Sequence, residues 1–271
     1  MTWNAWWRFG DWEPRQPLIL RVIDETSPDI LGLQEVWATA DDNQAERFAR
    51  QLGLHWAWAP SPAPEHFQRR IGDTSVLVGN AILSRWPIVS SVTRSLPGSS
   101  EDEGRTALIA LVDAPSGPTP FVTTQFASTV GGSALRCEQV RALTRLLVDD
   151  VPEAATLIVT GDLNAEPDSD EVRLLGGHKT VPAVPGLILL DAWRFADPDA
   201  REWTWDRRNP AVRSTGEPSA RIDYIFLGHR PSRPPTLYVH TARLAGDGPS
   251  EGIWPSDHAA VVADLEEAPE Q

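Results

Sequence analysis

Apolar runs bounded by Gly, Pro or charged residues recur along the whole chain and predict a structure with many β-strands. These runs are rich in Val, Ile, Leu and Thr, which suit a pleated and buried surface. The predicted strands cover residues 2–7, 29–37, 78–84, 106–114, 119–126, 156–164, 221–228, 236–244 and 258–265.

Some of the intervening stretches have apolar residues at helical spacing. The predicted helices span 41–52, 133–150 and 168–177. In the first of these, Ala45, Phe48 and Leu52 fall on one face, as expected for a helix packed against a sheet. Many strands interleaved with a few helices predict an α/β or α+β fold with a large sheet. Because the chain shows neither an internal repeat nor a compositional shift, we expect a single domain over residues 1–271.

The overall charge of the chain argues against one class of binding partner, long duplex DNA. The chain has 38 acidic and 24 basic residues, and its formal net charge is −14. Tight nonspecific binding to long duplex DNA needs clustered Lys and Arg, so this composition disfavours it. The first residues do not form a signal peptide, and no apolar run approaches the roughly 18 residues of a membrane span. The sequence therefore predicts a cytoplasmic protein without a membrane span.

Polar side chains gather at the ends of six predicted strands. They are Asn4, Glu35, Gln125, Asp162, Asn164, Arg221, Asp223, Asp257 and His258. A single Asp or Asn at a strand end is an ordinary turn former, but six such ends in one chain favour a shared site. Carboxylate and amide oxygens suit a hard cation such as Mg²⁺, and the histidine of this set can handle a proton. No cysteine cluster or histidine pair at zinc spacing competes with this interpretation.

The order of the motifs resembles that of the endonuclease/exonuclease/phosphatase superfamily, which includes DNase I-like nucleases, sphingomyelinases and inositol-polyphosphate phosphatases. The motifs are TWN, LQE, GNAILSRWPI, GDLNAEP, RIDYIF and SDHAAVVADL, and they extend from Asn4 to Leu265. Each is weak alone, but six in this order are specific. The resemblance implies a DNase I-like four-layer sandwich, with two mostly antiparallel β-sheets packed face to face between outer helices. It also implies hydrolysis of phosphate esters with Mg²⁺ or Mn²⁺.

The same resemblance implies which residues hold the metal ion. Glu35 is the expected main ligand, Asn4 lies beside it, and Asp257 is a further contributor. These are the oxygen donors that Mg²⁺ accepts alongside water and substrate phosphate.

The remaining strand-end residues have expected catalytic roles, again by resemblance. Asp162 would orient or deprotonate the attacking water, and Asn164 would hold that water or a phosphate oxygen. His258 would hydrogen-bond the scissile phosphate, with Asp223 behind it fixing its tautomer and favouring its cationic form. Attack on an anionic phosphodiester needs both charge neutralisation and a poised water, and this set supplies both.

Five further residues are candidate substrate contacts, and most have a simpler alternative. They are Asn80, Arg105, Arg221, Trp7 and Trp205. Asn80 is equally a turn residue, and Arg221 shares a predicted strand face with Asp223 and could simply pair with it. Arg105 matches a position at which the family often has a substrate-facing basic residue. The two tryptophans are candidates for stacking on a base or sugar, although most of the 12 Trp are expected in the core.

The stretch VTTQFAS departs from the family pattern. Gln125 stands where the family has a His, and Ala127 stands where an acidic residue often follows. A glutamine amide can donate a hydrogen bond to a phosphate oxygen, but it cannot carry a proton to a leaving group. General acid–base catalysis contributes on the order of 10²–10⁴-fold. We therefore expect either a slow enzyme or a substrate whose leaving group needs no proton.

Two functions are compatible with this sequence. The first is a metal-dependent phosphodiesterase that acts on a small phosphorylated molecule, a lipid headgroup or a nucleotide, with Gln125 among its catalytic residues. The second is a diverged member that binds a phosphorylated ligand without hydrolysing it, or that runs altered biosynthetic chemistry. Gln125 and Ala127 motivate the second function, whereas the complete set of acidic residues together with His258 favours the first.

Overall fold

The structure is a computed structural model that describes residues 1–100, 102–151, 156–229 and 236–267. Its strands are β1 Thr2–Asn4, β2 Ile30–Ala38, β3 His55–Pro60, β4 Leu77–Ser84, β5 Ile88–Ser95, β6 Thr106–Ala114, β7 Gly117–Gln125, β8 Ile158–Asp162, β9 Ile188–Asp191, β10 Asp223–His229, β11 Leu237–Ala245 and β12 Ala260–Glu267. Its helices are α1 Trp12–Thr26, α2 Gln44–Leu52, α3 Glu65–Ile71, α4 Ser133–Asp150, α5 Asp170–Gly176 and α6 Pro210–Thr215, with a 3₁₀ turn at Ala192–Phe195. No helix within the described ranges is both long enough and apolar enough to cross a membrane.

The strands form two six-stranded sheets. Sheet A has the order β11-β12-β1-β2-β4-β3, and sheet B has the order β5-β6-β7-β8-β10-β9. Neighbouring strands run antiparallel, apart from the parallel pairs β1–β2 and β7–β8. The prediction of two mostly antiparallel sheets is therefore confirmed.

Alternating side chains place apolar layers on both faces of each sheet. In β6, Leu108 and Ala110 face the core between the sheets, whereas Ala107 and Ile109 face α4 and α5 on the outside. On the other side of the molecule, α1 and α2 cover sheet A with apolar residues such as Ile23. Helices, sheet A, sheet B and helices make the four layers that the resemblance implies.

Six elements lack a clear signal in the sequence, namely helices α1, α3 and α6 and strands β3, β5 and β9. Helix α1 contains Pro17, and a proline inside a helix removes a backbone hydrogen bond and normally disfavours the structure. Strands β3, β5 and β9 all lie at sheet edges. Because an edge strand packs on fewer neighbours, its apolar pattern is weaker; β5, for example, is mostly exposed or half-buried.

Strand direction brings the polar strand ends to one end of the sandwich. Strands β1, β7 and β8 end there, and β10 and β12 begin there. Asp162 pairs with Gln125 across β7–β8 and with Asp223 across β8–β10. Below this end the two sheets approach closely at Gly32, where a Cβ atom would lie only 2.5 Å from Thr160 Oγ1. Glycine at this position therefore lets the sheets pack closely enough for side chains from both to meet.

Candidate active site

Two carboxylates at the end of the sandwich are held together by two side-chain amides. Asn4 Nδ2 donates to Glu35 Oε1 at 3.2 Å and to Asp162 Oδ2 at 3.0 Å. Gln125 Nε2 donates to the same two oxygens, at 2.7 Å and 3.1 Å respectively. Residues from β1, β2, β7 and β8 thus meet at one point, as the sequence pattern predicts. Glu35 is half-buried, whereas the other three are buried.

Glu35 and Asn164 both have unusual backbone conformations beside this point. Glu35 has a φ of 51° at an irregularity in the register of β2, and Asn164 has a φ of 48° just after β8. The Asn164 backbone N–H donates to Asp162 Oδ1 at 3.0 Å, and its Nδ2 donates to the carbonyl of Phe126 at 3.1 Å. Left-handed backbone at residues other than glycine costs free energy and tends to concentrate at functional sites.

His258 and Asp223 form a buried pair, which we call the imidazole arm. His258 Nδ1 lies 2.8 Å from Asp223 Oδ2, and His258 Nε2 lies 4.0 Å from Asp162 Oδ2. The side chains of His258 and Asp223 are 5% and 0% exposed. Asp223 therefore fixes the imidazole so that Nε2 faces the carboxylate of Asp162. The ring of Trp205 packs edge-on against the imidazole, with the two centroids 4.9 Å apart.

Burial and neighbouring charges set the ionisation of these groups. Burial by itself lowers the pKa of His258, but the carboxylates of Asp223 and Asp162 outweigh burial and raise this pKa well above its ordinary value. Burial raises the pKa of Asp162, although the charge of His258 opposes the shift. Burial likewise raises the pKa of Asp257 to about 7, with His258 opposing and Glu35 adding to the rise. The two flanking carboxylates thus favour the cationic imidazole, and burial favours the protonated forms of Asp162 and Asp257.

Gln125, Arg105 and Asp102 form a second chain of contacts, which we call the amide arm. Arg105 Nη1 donates to Gln125 Oε1 at 2.5 Å, and Arg105 Nε donates to Asp102 Oδ1 at 2.7 Å. Each of the three residues is 6% exposed. Arg105 Nη2 contacts Asp102 and Ser128, so all three guanidinium nitrogens have partners inside the protein. This arrangement differs from the substrate-facing role that the resemblance implies for Arg105.

The charges of the site fit a divalent cation. Asp162, Asp223 and His258 each place one ligand atom within 4.8 Å of the others and form a possible metal site. Asp257 lies close enough to Glu35 and Asp162 for both charges to raise its pKa. Four carboxylates around one imidazolium leave an excess of negative charge, which a hard cation with oxygen ligands would neutralise.

Asn4 occupies the predicted position but makes different contacts. Its Oδ1 accepts the backbone N–H of Trp6 at 2.9 Å, while its Nδ2 faces Glu35 and Asp162. Asn4 therefore directs its N–H donors at the two carboxylates, and ligation of a metal ion by its oxygen stays a prediction.

Arg15 shapes the rim of the site and is missed by the sequence interpretation. It is 2% exposed and donates to five backbone carbonyls, which are those of Ala5, Trp6, Trp7, Phe9 and Pro255. It thereby ties the turn after β1 to the segment that precedes Asp257 and His258. No sequence signal marks this arginine, because its hydrogen-bond partners are main-chain groups.

Two predicted substrate contacts are core residues instead. Trp7 is fully buried and packs edge-on against Phe67, so the prediction that it stacks on a substrate is wrong. Arg221 is 7% exposed, and it pairs with Asp191 at 2.8 Å and not with Asp223. Strand β10 begins only at Asp223, so the alternation that would place Arg221 on the same face does not apply.

Asn80 and Trp205 lie beside the site. Asn80 is buried, donates to the carbonyl of Thr106 at 2.9 Å, and lines a small pocket together with Arg105 and Gln125. Trp205 is half-buried against His258. Contact of either side chain with a substrate stays a prediction.

Solved structures with the same fold include the following three proteins. The human Nocturnin catalytic domain with bound sulfate is 22% identical, with 98% of this chain and 93% of that chain covered and a TM-score of 0.73. TDP2 from D. rerio, complexed with a single-strand DNA product, is 19% identical, with 98% and 97% covered and a TM-score of 0.74. The mannosyl-6-phosphatase of Bacteroides thetaiotaomicron is 17% identical, with 98% of each chain covered and a TM-score of 0.67. No curated protein matches this chain in sequence.

A sequence model of the Endonuclease/Exonuclease/phosphatase family matches residues 1–258. This range includes every strand end that contributes to the site, from Asn4 to His258. Members of the family are phosphoester hydrolases and use divalent metal ions, which agrees with the cluster of carboxylates around one imidazolium. The chain therefore belongs to the Endonuclease/Exonuclease/phosphatase family.

Proposed function

We propose that the whole chain, as one domain, is a divalent-metal-dependent phosphodiesterase for a small phosphorylated molecule, a lipid headgroup or a nucleotide. The observation that carries this proposal is the contact of Asp162 with the amides of Asn4 and Gln125, beside the cationic imidazole of His258. Such a site can bind a phosphate and activate a water at one point. The net charge of −14 supports a small substrate over long duplex DNA.

The proton chemistry belongs to Asp162 and His258. Asp162 orients and deprotonates the attacking water, and burial supports this role because it raises the pKa of Asp162 and so increases its basicity. Asn164 holds the same water or a phosphoryl oxygen from its fixed turn. His258 donates Nε2–H to the scissile phosphate, while Asp223 keeps the other ring proton on Nδ1.

Glu35 and Asp257 are the residues that we propose as ligands for Mg²⁺ or Mn²⁺. An imidazolium has no free lone pair for a metal ion, so the raised pKa of His258 favours the carboxylates over the ring. Glu35 is half-buried, which leaves it accessible to an incoming ion. The bound ion would neutralise phosphate charge and stabilise the charge that develops during attack. Asn4 supports Glu35 through its Nδ2 donor.

One observation favours a second candidate function, the binding of a phosphorylated ligand without hydrolysis. Gln125 donates to both Glu35 and Asp162, so an uncharged group that cannot transfer a proton contacts the two carboxylates. A site of this kind can hold a phosphate ligand through hydrogen bonds while lacking one proton carrier. Turnover measurements separate the two functions.

The test is hydrolysis of bis-p-nitrophenyl phosphate and p-nitrophenyl phosphate with Mg²⁺, Mn²⁺ or EDTA. We expect metal-dependent turnover that favours the diester and falls by about 10²–10⁴-fold in His258→Ala, the range for loss of a general acid or base. His240→Ala is the matched control, because His240 is 61% exposed and pairs with Glu266 on the surface. Phosphate-ligand binding without turnover in any metal would instead establish the second candidate function.

A further inference from the structure

We propose that Arg105 and Asp102 are positioning residues that fix the orientation of the Gln125 amide and so keep its N–H donors directed into the active site. This inference rests on the proposed hydrolytic function for its kinetic consequence, but the orientation itself can be measured without turnover. It assigns to Arg105 a role that acts through another side chain, in place of direct contact with the substrate.

The two ends of the Gln125 amide face opposite charges. Its Oε1 accepts from Arg105 Nη1, and its Nε2 donates to Glu35 Oε1 at 2.7 Å and to Asp162 Oδ2 at 3.1 Å. A half-turn of the amide would set its oxygen against two carboxylates and its NH₂ group against a guanidinium. Both exchanges replace an attraction by a repulsion in a buried setting, so only one orientation is compatible with these neighbours.

Arg105 is itself held rigidly. Asp102 accepts from Arg105 Nε at 2.7 Å and from Nη2 at 3.2 Å, which is the two-point geometry that fits a carboxylate to a guanidinium. Asp102 Oδ2 also accepts the backbone N–H of Ser128 at 2.6 Å, and Ser128 Oγ accepts from Arg105 Nη2. The pair of Arg105 and Asp102 therefore joins the loop before β6 to Ser128, which follows the end of β7 at Gln125.

Burial distinguishes this ion pair from an ordinary surface pair. The side chains of Arg105 and Asp102 are both 6% exposed, whereas those of Arg94 and Asp150, which are also joined by two hydrogen bonds, are 40% and 20% exposed. A buried charge pair is costly to desolvate and is a weak source of stability. Its location behind Gln125 points to the orientation of that amide as its contribution.

A fixed amide and an imidazole both supply N–H donors, but they differ in how these donors depend on pH. Its N–H groups do not titrate, so the donors are present at every working pH. They set the relative position of Glu35 Oε1 and Asp162 Oδ2 and can pass to a phosphoryl oxygen when a substrate binds. Loss of the support behind the amide should therefore lower the rate through misplacement and leave the pH profile unchanged.

A double-mutant cycle tests whether Arg105 acts through Gln125. Arg105→Met should lower kcat about tenfold to a hundredfold, since a misplacement of 1 Å can cost about 10²-fold. The same substitution in a Gln125→Ala background should lower kcat less than about twofold, because the amide is already absent. Arg94→Met, at the exposed pair, is the control and should match the wild type. An equal loss in both backgrounds would overturn the proposal, because Arg105 would then act independently of Gln125.

A second measurement needs no turnover. The side-chain ¹⁵N amide resonances of Gln125, assigned by their disappearance in Gln125→Ala, should be distinct and slow to exchange in the wild type. In Arg105→Met they should shift and exchange faster, whereas in Arg94→Met they should not change. If Arg105→Met folds poorly because Asp102 is left unpaired, the double variant Asp102→Asn/Arg105→Met removes both charges and serves instead. Unchanged resonances would overturn the positioning role, while a silent wild type with the expected resonance changes would count against the proposed hydrolysis alone.

Discussion

The imidazole arm and the amide arm approach the same oxygen with different chemistry. His258 Nε2 lies 4.0 Å from Asp162 Oδ2, and Gln125 Nε2 lies 3.1 Å from it. Each nitrogen has a buried charged group behind it, which is Asp223 in one arm and Arg105 in the other. Of these two side chains, only the imidazole is titratable. The comparison shows that oriented N–H donors are present in both arms, whereas a titratable ring is present in only one.

The arms also differ in how they depend on sheet packing. His258 precedes β12 of sheet A, whereas Asp223 begins β10 of sheet B, so the imidazole arm crosses the gap between the sheets. Arg105 precedes β6 and Gln125 ends β7, which are neighbours in sheet B. A change in sheet spacing should therefore disturb the imidazole arm more than the contact between Arg105 and Gln125.

The largest expected effect comes from Asp223→Asn. The neutral side chain no longer stabilises the imidazolium, so the pKa of His258 should fall from its raised value and kcat should drop by about 10²–10⁴-fold. Gln125→Asn is the companion variant in the amide arm and should cost less, because no proton carrier is lost. Steady-state kinetics across pH checks both. An equal loss of kcat in the two variants would show that the imidazole arm and the amide arm do not differ in their contribution to the rate.

Gln125→His should introduce into the amide arm a side chain that can transfer a proton to the leaving group. The new imidazole would face Asp162 and Glu35, whose charges favour its cationic form. We expect the rate on diesters with poor alkoxide leaving groups to rise by up to about 10²-fold, with little change for p-nitrophenolate, which leaves without a proton. Rates over a series of leaving groups measure this. A uniform change across the series would show that the substitution alters binding and not proton transfer.

Metal-binding measurements test the carboxylates that lie between the imidazole arm and the amide arm. Because burial raises the pKa of Asp257 to about 7, a metal ion must displace its proton at lower pH. Apparent Mn²⁺ affinity should therefore fall about tenfold per pH unit below 7, as expected when one proton is released on binding. Titration calorimetry at several pH values checks this, and Asp257→Asn should weaken binding and flatten its pH dependence. An unaltered pH dependence in that variant would remove Asp257 from the ligand set.

Gly32→Ala lies farthest from the reacting groups, should have the smallest effect on kcat, and tests the dependence on sheet packing. Its Cβ would lie 2.5 Å from Thr160 Oγ1 and 2.7 Å from Thr123 Oγ1, so these side chains or the sheets that carry them must shift. Overpacking of this kind lowers the free energy of unfolding by about 1–3 kcal/mol. Urea denaturation measures the loss, and Gly248→Ala, with open space around its Cβ, should be neutral. The Arg105 guanidinium resonances, whose partners all belong to sheet B and its flanking loops, should shift less than the His258 ring resonances.

Local patterns predict most of the central strands and the polar residues at their ends, whereas the division into two sheets follows from the family resemblance. Strands buried on both faces, such as β6, have continuous apolar runs, and its bounds of 106–114 are predicted correctly. The edge strands β3, β5 and β9 pack on fewer neighbours and give little signal. Helix α1 is stabilised by packing of Ile19 and Ile23 on sheet A, which outweighs the unfavourable Pro17 that its sequence displays.

The sequence cannot predict which polar residues form hydrogen bonds or ion pairs with each other. Arg221 and Arg105 look alike as basic residues near strand starts, yet one pairs with Asp191 and the other supports Gln125. Asp102 lies in a Gly-, Ser- and acid-rich stretch that is typical of a surface loop, but the fold buries it under Arg105. These pairings depend on distances between elements that are remote in sequence, and periodicity carries no information about them.

The site joins residues near both ends of the numbered chain, and this has a consequence during protein synthesis. Ser256 Oγ donates to the carbonyl of Asn4, Trp3 Nε1 donates to the carbonyl of His258, and β1 lies between β12 and β2. At roughly 5–20 residues per second, the ribosome adds His258 tens of seconds after Asn4. During that interval β1 lacks its neighbour β12, so one edge of the strand is unpaired, and an unpaired edge is a template for aggregation. Folding of this protein in the cell should therefore benefit from any factor that shields the nascent chain until β12 has been synthesised.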